Sequence, residues 1–174
     1  MKSVLTGSVL VALVTGCASM GGGEGPKAAA MLEPTTGNSA KGSVTFAQVG
    51  DKVRVRAQLA GLKPNAEHGF HVHEKGDCSS GDGTSAGGHF NPAAKPHGNY
   101  HTHGDRHVGD MPNVKSDAYG NASASFETSG MSIGSGAADI VGKGLIVHRD
   151  PDDYKSQPAG NAGPRIACAV IRKG

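Results

Sequence analysis

The sequence predicts an all-β domain, a sandwich or a barrel, and three observations carry that expectation. Apolar residues recur at the strand period of two and hardly anywhere at the helix period. Short strand-like runs are separated by turn signals. Glycine is abundant, 28 of 174 residues against a usual ~7%, which fits tight corners and close-packed loops.

The elements follow in order. Residues 43–49 read as a first strand, hairpinned through Gly50-Asp51 into a second. There Val53, Val55, Ala57 and Leu59 alternate with Arg54, Arg56 and Gln58, giving one apolar and one solvated face. Phe70 and Val72 put a short apolar face beside His71 and His73. Ala122, Ala124 and Phe126 alternate with Ser123, Ser125 and Glu127 after the turn signal Asp-Ala-Tyr-Gly-Asn. Residues 144–148 and 165–171 are further β-rich runs. Two stretches break the rhythm, 75–114 and 149–164; loops of that length in a compact domain are usually functional or disordered.

The N-terminal end reads differently. Lys2 precedes the mostly apolar residues 4–14, too short to span a bilayer and suited to an export signal. Val14-Thr15-Gly16-Cys17 resembles a bacterial lipoprotein cleavage box, which makes residues 1–16 the signal and Cys17 the acylated first residue. The alternative is ordinary cleavage after Ala18 or Ser19, with Cys17 discarded. Residues 17–38, with a Gly-Gly-Gly-Glu-Gly-Pro-Lys-Ala-Ala-Ala run, read as a flexible tether with nothing to bury. Residues 39–174 then form one domain.

Cys78 and Cys168 are the remaining cysteines, and export to an oxidising compartment favours a disulfide between them. Cysteine-based metal binding is the alternative, weakened by the lack of a CxxC spacing. The net charge of +2 without Lys/Arg clusters gives no basis for nucleic-acid binding. Beyond the signal there is no second long apolar stretch.

Function is concentrated in six histidines and one aspartate: His71, His73, His89, His97, His107, Asp110 and His148. Side chains two apart on a strand point the same way, about 6–7 Å apart, so His71-Val-His73 is a chelating pair. Imidazole suits copper and zinc, and a carboxylate among imidazoles favours zinc. Seven such groups exceed one first-row ion and suit two. Scattered surface histidines are the plain alternative, but chance rarely sets such a series between glycine-rich spacers.

With these residues in view the chain resembles the bacterial copper,zinc superoxide dismutases from about residue 43 to 171. Gly69-Phe-His71-Val-His73-Glu, Gly87-Gly-His89-Phe-Asn-Pro92, Arg106-His107-Val-Gly-Asp110, Leu145-Ile-Val-His148 and Gly160-Asn-Ala-Gly-Pro-Arg165-Ile-Ala-Cys168 carry the resemblance. It implies an eight-stranded Greek-key β-barrel, related to the immunoglobulin-like sandwich, with two long functional loops. It implies one copper on His71, His73, His89 and His148, and one zinc on His89, His97, His107 and Asp110. Asp152 would link His71 to His97 from outside the ligand shell. Arg165 would sit beside the open copper face, and Cys168 would be the second disulfide cysteine.

The implied reaction oxidises one superoxide to O₂ and reduces a second to H₂O₂ at a redox-cycling copper. Zinc would hold the bridge, His89 would take up a proton, and Arg165 would draw in the anion. The expected setting is the periplasm or cell envelope, in antioxidant defence. The expected partners are superoxide as substrate and a membrane only through lipid on Cys17; monomer and homodimer both remain open.

His68, His101 and His103 have no part in this scheme, although His101 or His103 could compete with His107. Ala159 stands where many eukaryotic relatives carry threonine. Lys63, Lys75 and Lys155 are candidate steering charges. The competing functions are metal storage or delivery without catalysis, for which Arg165 has no use, and a structural surface lipoprotein, which leaves the histidines unexplained.

Overall fold

The computed structural model describes residues 25–101 and 105–174. Among these, ten strands run in chain order: β1 (Lys27–Pro34), β2 (Lys41–Val49), β3 (Lys52–Ala60), β4 (Glu67–His68), β5 (Phe70–His73), β6 (Val114–Lys115), β7 (Ala122–Ser129), β8 (Gly144–His148), β9 (Arg165–Val170) and β10 (Arg172–Lys173). Eight of them make one sheet in the order β5-β8-β9-β1-β2-β3-β7, with β10 also on β1, and β4 pairs with β6 in a small ladder. Every strand ladder is antiparallel. The path from β3 to β5, β5 to β7 and β7 to β8 crosses between the two ends of that order each time, which is Greek-key winding.

The sheet curls about a single core. Val44, Phe46, Val53 and Val55 from one end of the order share a cluster with Phe70, Val72, Leu145 and Val147 from the other. Each such side chain contributes roughly 1.5–3 kcal/mol when removed from water. The β2–β3 hairpin turns at Gly50-Asp51, with Val49 opposite Lys52, as its alternation predicts.

One expectation is corrected. The tether assigned to residues 17–38 contains β1, a strand of the barrel. Ala28, Ala30 and Leu32 face the core while Lys27, Ala29 and Met31 face out. β1 pairs with β2 over Lys27–Leu32 and with β9 at Glu33 and Pro34. The folded domain therefore begins by Lys27 rather than Ser39. Alanine's small apolar surface hides the period, and the preceding glycines extend the look of a linker. Residues 1–24, including the signal and Cys17, lie outside the described residues, as does His103.

Candidate metal centre

Two neighbouring strands and the loop that returns along one of them build the site. β5 alternates as expected, with Phe70 and Val72 in the core and His71 and His73 on the opposite face, and all four are buried. The rings of His71 and His73 are 6.4 Å apart. β8 runs beside β5 and delivers His148 at a register break between Val147 and His148. That break is clamped by backbone bonds: the His148 N–H donates to Gly69 O at 2.8 Å. His68 Nδ1 lies 2.9 Å from His148 O and, since a carbonyl only accepts, carries the proton.

Among the described residues, the stretch 75–113 holds one turn of 3₁₀ helix (Thr84–Ala86), and two of its segments, near His89 and near Gly109, lie along β5. Val72 N donates to Gly109 O at 3.0 Å, and Phe90 N donates to Val72 O at 2.8 Å. His73 bridges to His89, and His71 to Asp110. Position 109 must be glycine, because a Cβ there would stand 2.1 Å from Val72 O.

The result is two buried donor clusters that share one ring. His71, His73, His89 and His148 bring four nitrogens within 4.8 Å of one another, and His89, His97, His107 and Asp110 do the same with three nitrogens and an oxygen. Their atoms are already sorted. Asp110 Oδ2 accepts the N–H groups of Gly98 and His107 at 3.1 and 3.0 Å, which leaves Oδ1 for the cluster. That Oδ1 lies 2.7 Å from His89 Nδ1, 3.0 Å from His97 Nδ1 and 3.3 Å from His107 Nδ1. On the other side Asp152 spans the centre, with Oδ2 2.8 Å from His71 Nε2 and Oδ1 2.9 Å from His97 Nε2. His73 Nδ1 is 2.9 Å from Gly87 O and His148 Nδ1 is 3.0 Å from Gly163 O, so both Nε2 atoms point inward, 3.4 Å apart.

This donor set fits copper and zinc. His71 Nδ1, His89 Nε2 and His107 Nδ1 are buried with no hydrogen-bond partner. Each such orphan costs about 1–3 kcal/mol in a protein interior, where polar groups are otherwise satisfied. All three are aimed at the two clusters. Four imidazoles suit copper, and three imidazoles with a carboxylate suit zinc.

The electrostatics separate the clusters. Burial, followed by the neighbouring rings His71 and His89, holds His148 down to about 3. Burial and His71 hold His89 at about 4, against the pull of Asp110. His73 is also lowered, chiefly by burial and then by His89 and His148. His97 goes the other way: burial disfavours its charge, but hydrogen bonds to Asp110 and Asp152 raise it to about 9. Both carboxylates lie far below the usual range, because those hydrogen bonds outweigh their burial.

Arg165 starts β9 and reaches toward the same centre. Its Nη1 donates to Gly83 O at 2.6 Å and its Nη2 to Gly87 O at 2.5 Å, so it shares the Gly87 carbonyl with His73. Cys78 and Cys168 form a disulfide between the loop and β9, as expected from sequence. His101 lies outside both clusters, its ring against Tyr100 and Tyr154, so it does not displace His107.

Sequence reasoning missed several supports. Asn113 brackets Asp152, donating to its carbonyl at 3.0 Å and accepting its N–H at 2.9 Å. Gln157 holds the His97 backbone from both sides, at 2.9 and 2.8 Å. Gly160, at φ +64°, leaves room for Asp152 and His97; a Cβ there would fall 1.8 Å from Asp152 Oδ1. Of these, only Gly160 left a trace, as part of the Gly-Asn-Ala-Gly run.

A β-barrel whose two ion sites are joined by one imidazole defines a binuclear metalloprotein. Residues 40–171 match the family model for copper/zinc superoxide dismutase. Superoxide dismutase [Cu-Zn] 2 of Aquifex aeolicus is 42% identical over 135 residues, covering 75% of this chain and 78% of its own. The superoxide dismutase [Cu-Zn] of Paramecium bursaria Chlorella virus 1 is 40% identical over 169 residues, 94% of this chain and 87% of its own. That of Saccharomyces cerevisiae is 44% identical over 153 residues, 83% and 96%. Among solved structures, the crystal structure of the clock protein EA4 superposes with a TM-score of 0.75 at 41% identity, covering 84% of this chain and 93% of that one. The chain belongs to the copper/zinc superoxide dismutase family. It is an oxidoreductase that dismutates superoxide to O₂ and H₂O₂, with copper and zinc as its cofactors.

Proposed function

We propose the following division of labour within that activity. His71, His73, His89 and His148 hold copper, and His89, His97, His107 and Asp110 hold zinc. The observation that carries it is the shared ring: His89 turns Nδ1 toward Asp110 at 2.7 Å and leaves Nε2 buried and unpartnered in the four-imidazole cluster. Bound there, copper supplies one-electron exchange with superoxide, and zinc supplies a fixed charge without redox chemistry.

The chain does the rest. Two superoxide anions and two protons become one O₂ and one H₂O₂, so protons must reach the product. His89 is placed to hold one at Nε2 and hand it on. Arg165 binds and orients the anion: two of its N–H groups are spent on Gly83 and Gly87, and the remaining ones are free for a small oxyanion. Asp152 fixes the rings of His71 and His97 through their outer nitrogens. Metal storage without catalysis gives Arg165 nothing to do.

The same reading places the enzyme in the periplasm or cell envelope, held by lipid on Cys17. The closed Cys78–Cys168 disulfide supports an oxidising compartment, and the Lys2, apolar and Val-Thr-Gly-Cys17 sequence supports export with acylation.

The test is metal content and superoxide scavenging of the purified protein, alongside His148→Ala. Wild type should bind one copper and one zinc. The variant should keep zinc, whose four donors are intact, and lose activity. Full activity in His148→Ala would remove the copper assignment.

A further inference from the structure

A cleft of about 340 Å³ opens beside Arg165, with Thr35, Asn38, Asp82, Thr84 and Gly163 in its wall. Arg165 is the one cation in that lining and Asp82 the one carboxylate. Two of its wall residues, Gly163 and Arg165, connect it to the four-imidazole cluster. Gly163 accepts from His148 Nδ1, and Arg165 shares the Gly87 carbonyl with His73. An anion drawn to the guanidinium from this side therefore meets Asp82 as well.

Asp82 is exposed, and its charge is fixed. Its Oδ1 accepts the Thr84 N–H at 3.0 Å and the Thr84 hydroxyl at 2.7 Å. Those bonds hold the carboxyl below its usual range, so it is ionised at neutral pH. The carboxylate is thus committed to Thr84, while the next residue, Gly83, supplies the carbonyl that takes Arg165 Nη1. The guanidinium still feels it: burial lowers Arg165, and Asp82 opposes that fall. A turn whose only job was to seat Arg165 would need the Gly83 carbonyl and not a charge. A negative charge beside the one cation of this cleft weakens the attraction it offers to an anion.

We propose that Asp82 is an electrostatic brake on anion capture, offsetting part of the field by which Arg165 draws superoxide and competing anions into the site. It acts on the approach and touches neither metal donors nor substrate. The proposal rests on the reading of Arg165 given above.

Asp82→Asn tests it, because asparagine keeps an Oδ1 acceptor for Thr84 and removes only the charge. The full protein, loaded with copper and zinc to measured occupancy, is compared with wild type and with Arg165→Ile. Two quantities are read at several ionic strengths: the second-order rate with superoxide by pulse radiolysis, and azide affinity by absorption titration. Asp82→Asn should raise both about twofold at low ionic strength, the size of effect that one unit charge has through several ångströms of water. The gain should vanish above about 0.5 M salt, where screening acts within a few ångströms.

Unchanged rate and azide affinity, or a change that salt does not reduce, would overturn the proposal and leave Asp82 as a turn residue. Arg165→Ile separates the two readings. If it slows capture and weakens azide while Asp82→Asn changes nothing, only the brake is lost. If it is as fast as wild type, the role of Arg165 itself falls.

Discussion

Replacing Asp152 with asparagine removes one acceptor from the middle of the metal centre while keeping its shape. Asp152 and its two partners His71 and His97 have fully buried side chains. With each Nδ1 given to an ion, both Nε2 atoms carry protons and must donate. The carboxylate accepts from both; asparagine offers one oxygen and sets its amide N–H₂ against the other ring. Oδ1 also takes the Tyr154 N–H at 2.6 Å, so two donors meet there and only one meets Oδ2. The asparagine oxygen should therefore settle at the Oδ1 position, and His71 should lose its partner.

The lost charge-assisted bond contributes about 1.5–3 kcal/mol, part of it recoverable by tilting the ring. Loss of such an outer partner lowers metal affinity about 10–100-fold, or about 1.4–2.7 kcal/mol, which agrees. Asp152→Asn should thus weaken copper by that factor and zinc by less than about threefold. Competition titration of each ion against a chromophoric chelator measures both. Asp153→Asn serves as the control, since Asp153 bonds to Lys155, Ser156 and Asn161 and to no metal donor. Zinc weakening more than copper, or neither changing, would refute the reasoning.

Arg165→Ile should cut the second-order rate about tenfold or more with both metals bound, and Arg165→Lys should fall between, keeping charge without the fork; equal rates at equal copper occupancy count against it. Metal binding should release protons unequally. His97, raised to about 9 in the metal-free protein, must give up a proton to free Nδ1, so zinc affinity should climb with pH up to about 9. His148, at about 3, is already neutral, so copper should displace no proton from it at pH 7; His89, at about 4, is neutral too and gives up its one remaining proton only when both ions share its ring. Calorimetry in buffers of different ionisation heat counts the protons, and equal release when each ion is added alone to metal-free protein would contradict this. On the proposed acylation of Cys17, Cys17→Ser should move the protein from the membrane fraction to the soluble one; continued partitioning with membranes would remove the anchor.

What could be read from sequence depended on how far each feature reaches along the chain. The alternation of Val53 to Leu59 and the His71-Val-His73 pair are local, and both appear as expected. His107, Asp110 and His148 were legible because short motifs mark them, and His97 was assigned through the resemblance, although the winding that unites them is not local. β1 escaped because Lys-Ala-Ala-Ala-Met-Leu carries its period in side chains too small to advertise it. The supports from Asn113 and Gln157, and the carbonyls of Gly87 and Gly163, left no mark, since backbone acceptors have no side chain and a lone amide has many uses. Asp152 was found by resemblance alone; without it, the aspartate reads as one of several in a loop.

The sorting of ring nitrogens bears on how the enzyme acquires its metals. His71, His73, His97 and His148 each have one nitrogen committed to a carboxylate or carbonyl before any ion arrives. Their orientation is set during folding, so an ion entering either cluster finds donors already arranged and incurs little ordering cost. Such a frame is permissive: another first-row ion of similar coordination can occupy it with only modest discrimination by geometry. Correct loading then becomes a matter of which metal reaches the chain first and in what supply. The same rigidity that readies the centre for fast chemistry hands the choice of element to the surroundings in which the protein matures.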